Sequence, residues 1–195
     1  MEYKILLGYS AVAIEIFSYL IYFFGIFKGR TKPHAFTWFV WGVANIIAFA
    51  AIFIAGGGIG SWIFGVNAAC CLIISAIGFR QKQVLYDLYD WFALFGSLLG
   101  ILLWFLSKNP LCAVILISAS DIISMTPTLR KAYKLPFEEN MASFAVGIFY
   151  YPLSIFAMES LSLTTLLYPI VVVIIDTSLI ILIFLRRKKA SFPHP

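Results

Sequence analysis

The chain has 195 residues, of which 62% are hydrophobic and 12% are Asp, Glu, Lys or Arg, and its mean hydropathy is +0.97. An ordinary soluble domain carries about 25% charged residues, and no soluble core of this length hides so much apolar surface. A cytosolic enzyme, a nucleic-acid-binding domain and a disordered chain are excluded. A polytopic membrane protein remains, with a formal net charge of +5 to explain.

An apolar helix crosses a bilayer in about 17–25 residues, and seven segments fit. The first is about Ile5–Phe27. Met1-Glu2-Tyr3-Lys4 before it has no basic region and no small-residue cleavage site follows, so it reads as a first span and not a removed signal peptide. The second span is about Ala35–Ala55 and the third about Gly60–Phe79, with Gly56-Gly57-Gly58-Ile59-Gly60 as the turn between them. The fourth is about Asp87–Leu106. Asn109-Pro110 reverses the chain into the fifth, about Pro110–Pro127. Leu135-Pro136 reverses it again before the sixth, about Met141–Met158, and the seventh is about Ser162–Leu185. Glu138 and Glu139 precede the sixth span, where they favour its N-terminal dipole and are expected to pair partly with Arg130 and Lys131. Cys70, Cys71 and Cys112 lie in apolar runs without a CxxC spacing, which indicates neither a redox pair nor a metal site.

Twelve of the fourteen Lys and Arg residues fall on one side of this arrangement: Lys28, Arg30 and Lys32; Arg80 and Lys82; Arg130, Lys131 and Lys134; and Arg186–Lys189. Lys4 and Lys108 fall on the other. The positive-inside rule then puts the N-terminus outside and the C-terminus in the cytoplasm of a cell (inner) membrane. It also explains the net charge without an acidic or nucleic-acid partner.

Sliding the chain by 106 residues brings Glu15 onto Asp121, Ile16 onto Ile122, Ser18 onto Ser124, Lys28 onto Lys134 and Thr37 onto Ser143. The implied fold is all-α: residues 1–82 form a first three-helix repeat, 83–107 a linker helix, 108–189 a second three-helix repeat and 190–195 a short cytoplasmic tail. One linker span gives both repeats the same orientation, a transporter-type arrangement about an axis along the membrane normal.

This 3+1+3 layout resembles the SWEET and PQ-loop (MtN3) superfamily across the whole chain. The resemblance implies a solute transporter with hinge prolines. The chain departs from that pattern in having Lys32-Pro33-His34 in place of a Pro-Gln pair and no proline in its first two spans. The runs Thr31-Lys32-Pro33-His34-Ala35-Phe36-Thr37-Trp38-Phe39-Val40-Trp41-Gly42 and Pro127-Thr128-Leu129-Arg130-Lys131 more closely resemble a set of small uncharacterised bacterial inner-membrane proteins, which implies no particular activity.

Glu15, Asp121 and Asp176 lie near the middle of spans one, five and seven, and no Lys or Arg lies within any span. An ionised acid at a helix centre costs about 2.5–3.5 kcal/mol, so three facing lipid would cost about 8–10 kcal/mol. They are therefore expected to face the interior as a proton, cation or substrate site, the alternative being protonated interhelical glue. Ser118, Asp121, Ser124 and Thr128 share one helical face, as do Glu15, Ser18 and Tyr22. Ser18, Trp41, Asn45, Asn67 and Ser124 are the expected substrate-lining residues. Trp38, Trp62, Trp91 and Trp104 sit near span ends, where an aromatic belt is expected. Pro127, Pro152 and Pro169 are candidate hinges or static kinks, and His34 is a candidate gate.

The leading expectation is a transporter of a small solute, with proton coupling through the acids. The alternative is a non-transporting seven-helix scaffold or assembly partner. The partners are lipid, a small solute and protons, with no nucleic acid. No cofactor or metal is expected. An enzyme is disfavoured by the lack of a nucleophile–base pair, with His194 in the tail as the second histidine. A retinal receptor fails because span seven has no Lys.

Overall fold

The computed structural model describes residues 2–81, 86–107 and 109–191. Lys82, Lys108 and His194 lie outside the described residues, as does the side chain of Trp104. The described chain is all helical, without a strand: α1 (Glu2–Phe27), α2 (Ala35–Ile52), α3 (Trp62–Arg80), α4 (Leu88–Ser107), α5 (Pro110–Lys134), α6 (Met141–Ala157) and α7 (Leu163–Ser191). Four apolar helical stretches are long enough to cross a membrane: Glu2–Phe27, Ala35–Arg80, Pro110–Lys134 and Leu163–Lys189. Two apolar helices are shorter, Leu88–Leu103 and Met141–Ala157.

The surface and interior are inverted relative to a soluble bundle. Leu6, Phe24, Phe92, Phe149 and Phe184 each expose more than half of their area, whereas Glu15, Asn45, Asp121 and Asp176 are buried. Such an exterior is stable only against an apolar medium. Several of these helices are thus suited to a membrane, and the chain is consistent with a membrane protein.

The helix ends follow local chemistry. Asn109 caps α5 by accepting from the Leu111 and Cys112 amides, with Pro110 at the first helical position. Asn140 caps α6 by accepting from the Ser143 amide, immediately after Glu138 and Glu139. The 35–80 stretch turns back at the glycines. Gly56 and Gly58 take φ of 86° and 51°, a region that glycine enters without a Cβ penalty. Helix α5 runs seven residues past Pro127, where the expected span ended. The proline leaves the Ile123 carbonyl without its helical donor. On the adjacent Ser124 carbonyl, Thr37 Oγ1 donates at 2.8 Å from α2, so that neighbour is held from outside the helix.

The packing partners are regular. Helix α1 packs on α6 and α5 on α2; α2 packs on α3 and α6 on α7; α1 meets α3 and α5 meets α7. Helix α4 lies mainly against α5. Contacts between helix ends sort the loops into two groups. The 27–34 and 135–140 segments meet through Lys32 and Glu138, and Arg187 joins them by donating to the Pro136 and Glu139 carbonyls. At the other end, Ser160 N donates to the Gly56 carbonyl and Lys4 Nζ to that of Met158.

Two apolar clusters fill the interior, one toward each end. The first holds Ala44, Ile52, Phe64, Ile117, Met158 and Tyr168. The second holds Tyr22, Trp38, Ile74, Met125, Phe144 and Leu179. Trp38 is therefore not in a belt. Its ring lies 4.7 Å from that of Tyr22 and 5.2 Å from that of Trp41. Trp62 and Trp91 are 52% and 44% exposed, as a belt requires.

Gly60 is where the 58–61 turn meets α6. A Cβ there would stand 2.6 Å from the Ser154 carbonyl oxygen and 2.9 Å from the Met158 amide nitrogen, both backbone atoms that cannot swing aside. Gly60→Ala is expected to destabilise the protein by about 1–3 kcal/mol, read as a lowered Tm in detergent. Gly29→Ala serves as the comparison for backbone strain alone, because its added Cβ meets nothing within 4 Å.

Candidate functional site: a polar layer between two apolar plugs

Where the two apolar clusters meet, buried polar residues gather: Glu15 and Ser18 on α1, Asn45 on α2, Asn67 on α3, Ser118, Asp121 and Ser124 on α5 and Asp176 on α7. On α6 the same level is held by Gly147, whose missing side chain leaves room for the Asp176 carboxylate. A Cβ on Gly147 would lie 3.0 Å from Asp176 Oδ2.

A cavity with a water-accessible volume of about 40 Å³ lies in this layer, room for a few waters. Among the residues expected to line a site, Ser18, Trp41, Asn45, Asn67, Asp121 and Asp176 are on its wall. Glu15 is fully buried but is not on the wall, and neither of its carboxyl oxygens has a hydrogen-bond partner. Ser124 is also off the wall; its hydroxyl donates to the Asp121 carbonyl at 3.0 Å. Tyr19, Tyr150, Tyr151 and Tyr168 line the cavity as well. These four were not expected, although their mid-span depth was a usable signal, because a buried phenol needs a polar partner.

Hydrogen bonds fix the wall. Tyr168 donates to Asp121 Oδ2 at 2.8 Å. Asn67 accepts from the Tyr19 hydroxyl at 2.7 Å and donates to that of Tyr151 at 2.8 Å. Asn45 Nδ2 donates to the Trp41 carbonyl at 2.9 Å, which orients its Oδ1 the other way and leaves that oxygen unpartnered. Asp121 Oδ1 is likewise unpartnered. Just below, Ser18 Oγ donates to the Ser143 carbonyl at 2.8 Å, and Ser143 Oγ returns a bond to the Ser18 carbonyl at 2.9 Å.

The candidate hinges sit beside these contacts. Pro169 follows Tyr168 in α7, and Pro127 lies between Ser124 and Thr128 in α5. Thr128 donates to Thr37 at 3.0 Å. Pro152 follows Tyr151 in α6.

The basic end is closed by ion pairs. Lys131 and Glu139 are 2.5 Å apart, with side chains 9% and 1% exposed. Lys131 also donates to the Lys32 carbonyl. Burial pushes the Glu139 carboxyl above its usual range, and Lys131 opposes that shift. Glu138 pairs with Lys32 at 2.5 Å and not with Arg130. Arg130 instead holds Asp87 at 2.6 Å and 3.0 Å, lowering its carboxyl to about 2. His34 precedes α2 in a cage of Phe36, Tyr86 and Asp90, with Nε2 3.5 Å from Asp90 Oδ2. Among the described residues, no group of three or more His, Cys, Asp or Glu could hold a metal ion.

Two outcomes follow for the basic end. Lys131→Met leaves a buried carboxylate unpaired, expected to cost about 3–5 kcal/mol, whereas Lys131→Met/Glu139→Leu recovers most of that loss; thermal unfolding of the pair of variants reads the difference. His34 is held below its ordinary pKa, first by burial, against the opposing pull of Asp90. The folded state thus binds fewer protons than the unfolded one, and stability is lost as pH falls through about 6.5. The His34 contribution is read as a difference: the Tm of His34→Gln relative to wild type is expected to rise between pH 7.5 and pH 5.5.

Comparison with known protein families, with curated proteins and with solved structures finds no match. The reading of the site rests on its own residues.

Proposed function

We propose that this chain is a multi-pass membrane transporter of a small solute, with proton coupling through its buried acids. In this reading seven spans form two parallel three-helix repeats and a linker, as the likeness to the SWEET and PQ-loop superfamily implies. The N-terminus is outside the cell membrane and the C-terminus is cytoplasmic. The observation that carries the reading is the polar cavity between two apolar plugs, with Asp121 and Asp176 on its wall. A polar site between apolar layers near mid-depth is what alternating access needs.

The repeat draws support from the packing. Exchanging α1, α2 and α3 with α5, α6 and α7 turns the α1–α6 contact into α5–α2, the α2–α3 contact into α6–α7, and α1–α3 into α5–α7. At the residue level, Ser143 Oγ donates to the Ser18 carbonyl, and the positions related by 106 residues, Thr37 and Ser124, make the corresponding bond. The same polar contacts also suit a scaffold, since they join helices as interhelical glue does. The cavity is what favours transport, because a scaffold gains nothing from unmet polar atoms around a void.

Reconstitution into liposomes with an entrapped pH dye tests the reading. A panel of small solutes is expected to include one that drives proton movement with wild-type protein. The Glu15→Gln/Asp121→Asn double variant is expected to slow it at least about tenfold. Solute flux indifferent both to pH and to the double variant removes the coupling, and absence of flux for every solute leaves the scaffold.

A further inference from the structure

We infer that the occupant of the cavity is a small monovalent cation bearing N–H donors, of the ammonium, primary amine or guanidinium class. The inference rests on the cavity being a solute site, though not on the solute crossing the membrane.

The buried wall atoms left without any partner are both acceptors. Asn45 Oδ1 and Asp121 Oδ1 are buried and without a partner, on side chains 4% and 3% exposed. Both residues are on the cavity wall, with Asp176 as a second carboxyl beside them. Four donors on the wall already serve neighbouring side chains or backbone: Tyr168 to Asp121, Tyr19 to Asn67, Asn67 to Tyr151 and Asn45 to the Trp41 carbonyl. A sugar or polyol hydroxyl brings lone pairs as well as a donor, and so asks for more than the two bare oxygens supply. An ammonium brings donors alone.

Charge and ring placement point the same way. No Lys, Arg or His is on the wall, which carries two carboxyls. A bound cation favours ionisation of a carboxyl beside it, and the resulting attraction is strong where water is scarce. Trp38 and Trp41 also line the cavity, edge to face with ring centres 5.2 Å apart. Indole faces favour a cation over a neutral solute of equal size. The volume of about 40 Å³ suits a headgroup of a few heavy atoms.

The test uses full-length protein purified in detergent and the fluorescence of its tryptophans, two of which are on the wall. Methylammonium chloride is titrated against tetramethylammonium chloride, sodium chloride at equal ionic strength, and glucose. Tetramethylammonium keeps the charge but has no N–H. The expected result is a saturable response to methylammonium, at least tenfold weaker for the other three, and weakened at least tenfold by Asp176→Asn. Asn45→Leu, which removes the free acceptor without touching a charge, is expected to weaken methylammonium severalfold and supplies the readout if Asp176→Asn does not fold. The inference is overturned by no saturable methylammonium response, by an equal response to glucose, sodium or tetramethylammonium, or by unchanged affinity in the folded variants. Methylammonium binding without uptake into liposomes upholds this inference and removes transport. Uptake of a neutral solute without methylammonium binding does the reverse.

Discussion

Lipid offers no hydrogen bonds, so a helix that carries a carboxyl or an amide at mid-depth must turn it inward. Five helices do so, through Glu15, Asn45, Asn67, Asp121 and Asp176. The rest of the interior is arranged around that layer. Gly147 gives up its side chain to admit Asp176. Tyr19, Tyr151 and Tyr168 present phenols where aliphatic residues would leave the amide and carboxyl unmet. Apolar clusters close the layer above and below, and this keeps the dielectric low around it. In such a setting an unmatched acceptor is costly. The unpartnered Glu15, Asn45 and Asp121 oxygens therefore mark where the layer departs from the most stable packing.

Much of this was legible in the residues. Apolar run length with Gly and Pro punctuation gave helix boundaries within a few residues, except where α5 continues past Pro127 and α7 past Leu185. The polar residues of mid-span gave the layer, because a polar side chain in an apolar run has few places to face. What periodicity could not give was how the helices surround that layer. Trp38 reads as a belt residue by depth, yet α2 is turned so that the indole meets Tyr22, Trp41 and Phe144. Glu15 and Asp121 are equivalent under the 106-residue shift, yet only Asp121 is on the cavity wall. Rotation of a helix about its own axis is set by side chains on its neighbours, and a single chain's period does not contain it.

The charged end was read less well for a related reason. Adjacency along the chain suggested that Glu138 and Glu139 would face Arg130 and Lys131. In space half of that holds: Lys131 does pair with Glu139, but α4 brings Asp87 and Asp90 to Arg130, and the 27–34 loop brings Lys32 to Glu138. Short loops between long helices bring distant residues together while separating near ones. The outcome is a set of pairs in which each ties a different junction, so no one of them alone holds that end shut.

Lys32 and Glu138 carry one more implication. They are 106 positions apart, the interval that relates Ser18 to Ser124 and Thr37 to Ser143. Residues exchanged by a twofold meet on its axis. In a dimer of two identical half-length chains they would be the same residue, so lysine would face lysine or glutamate would face glutamate. A single chain that contains both halves is free of that rule and can set opposite charges on the axis. On the repeat reading, this contact is one that joining the halves made accessible, and it makes the two halves no longer interchangeable.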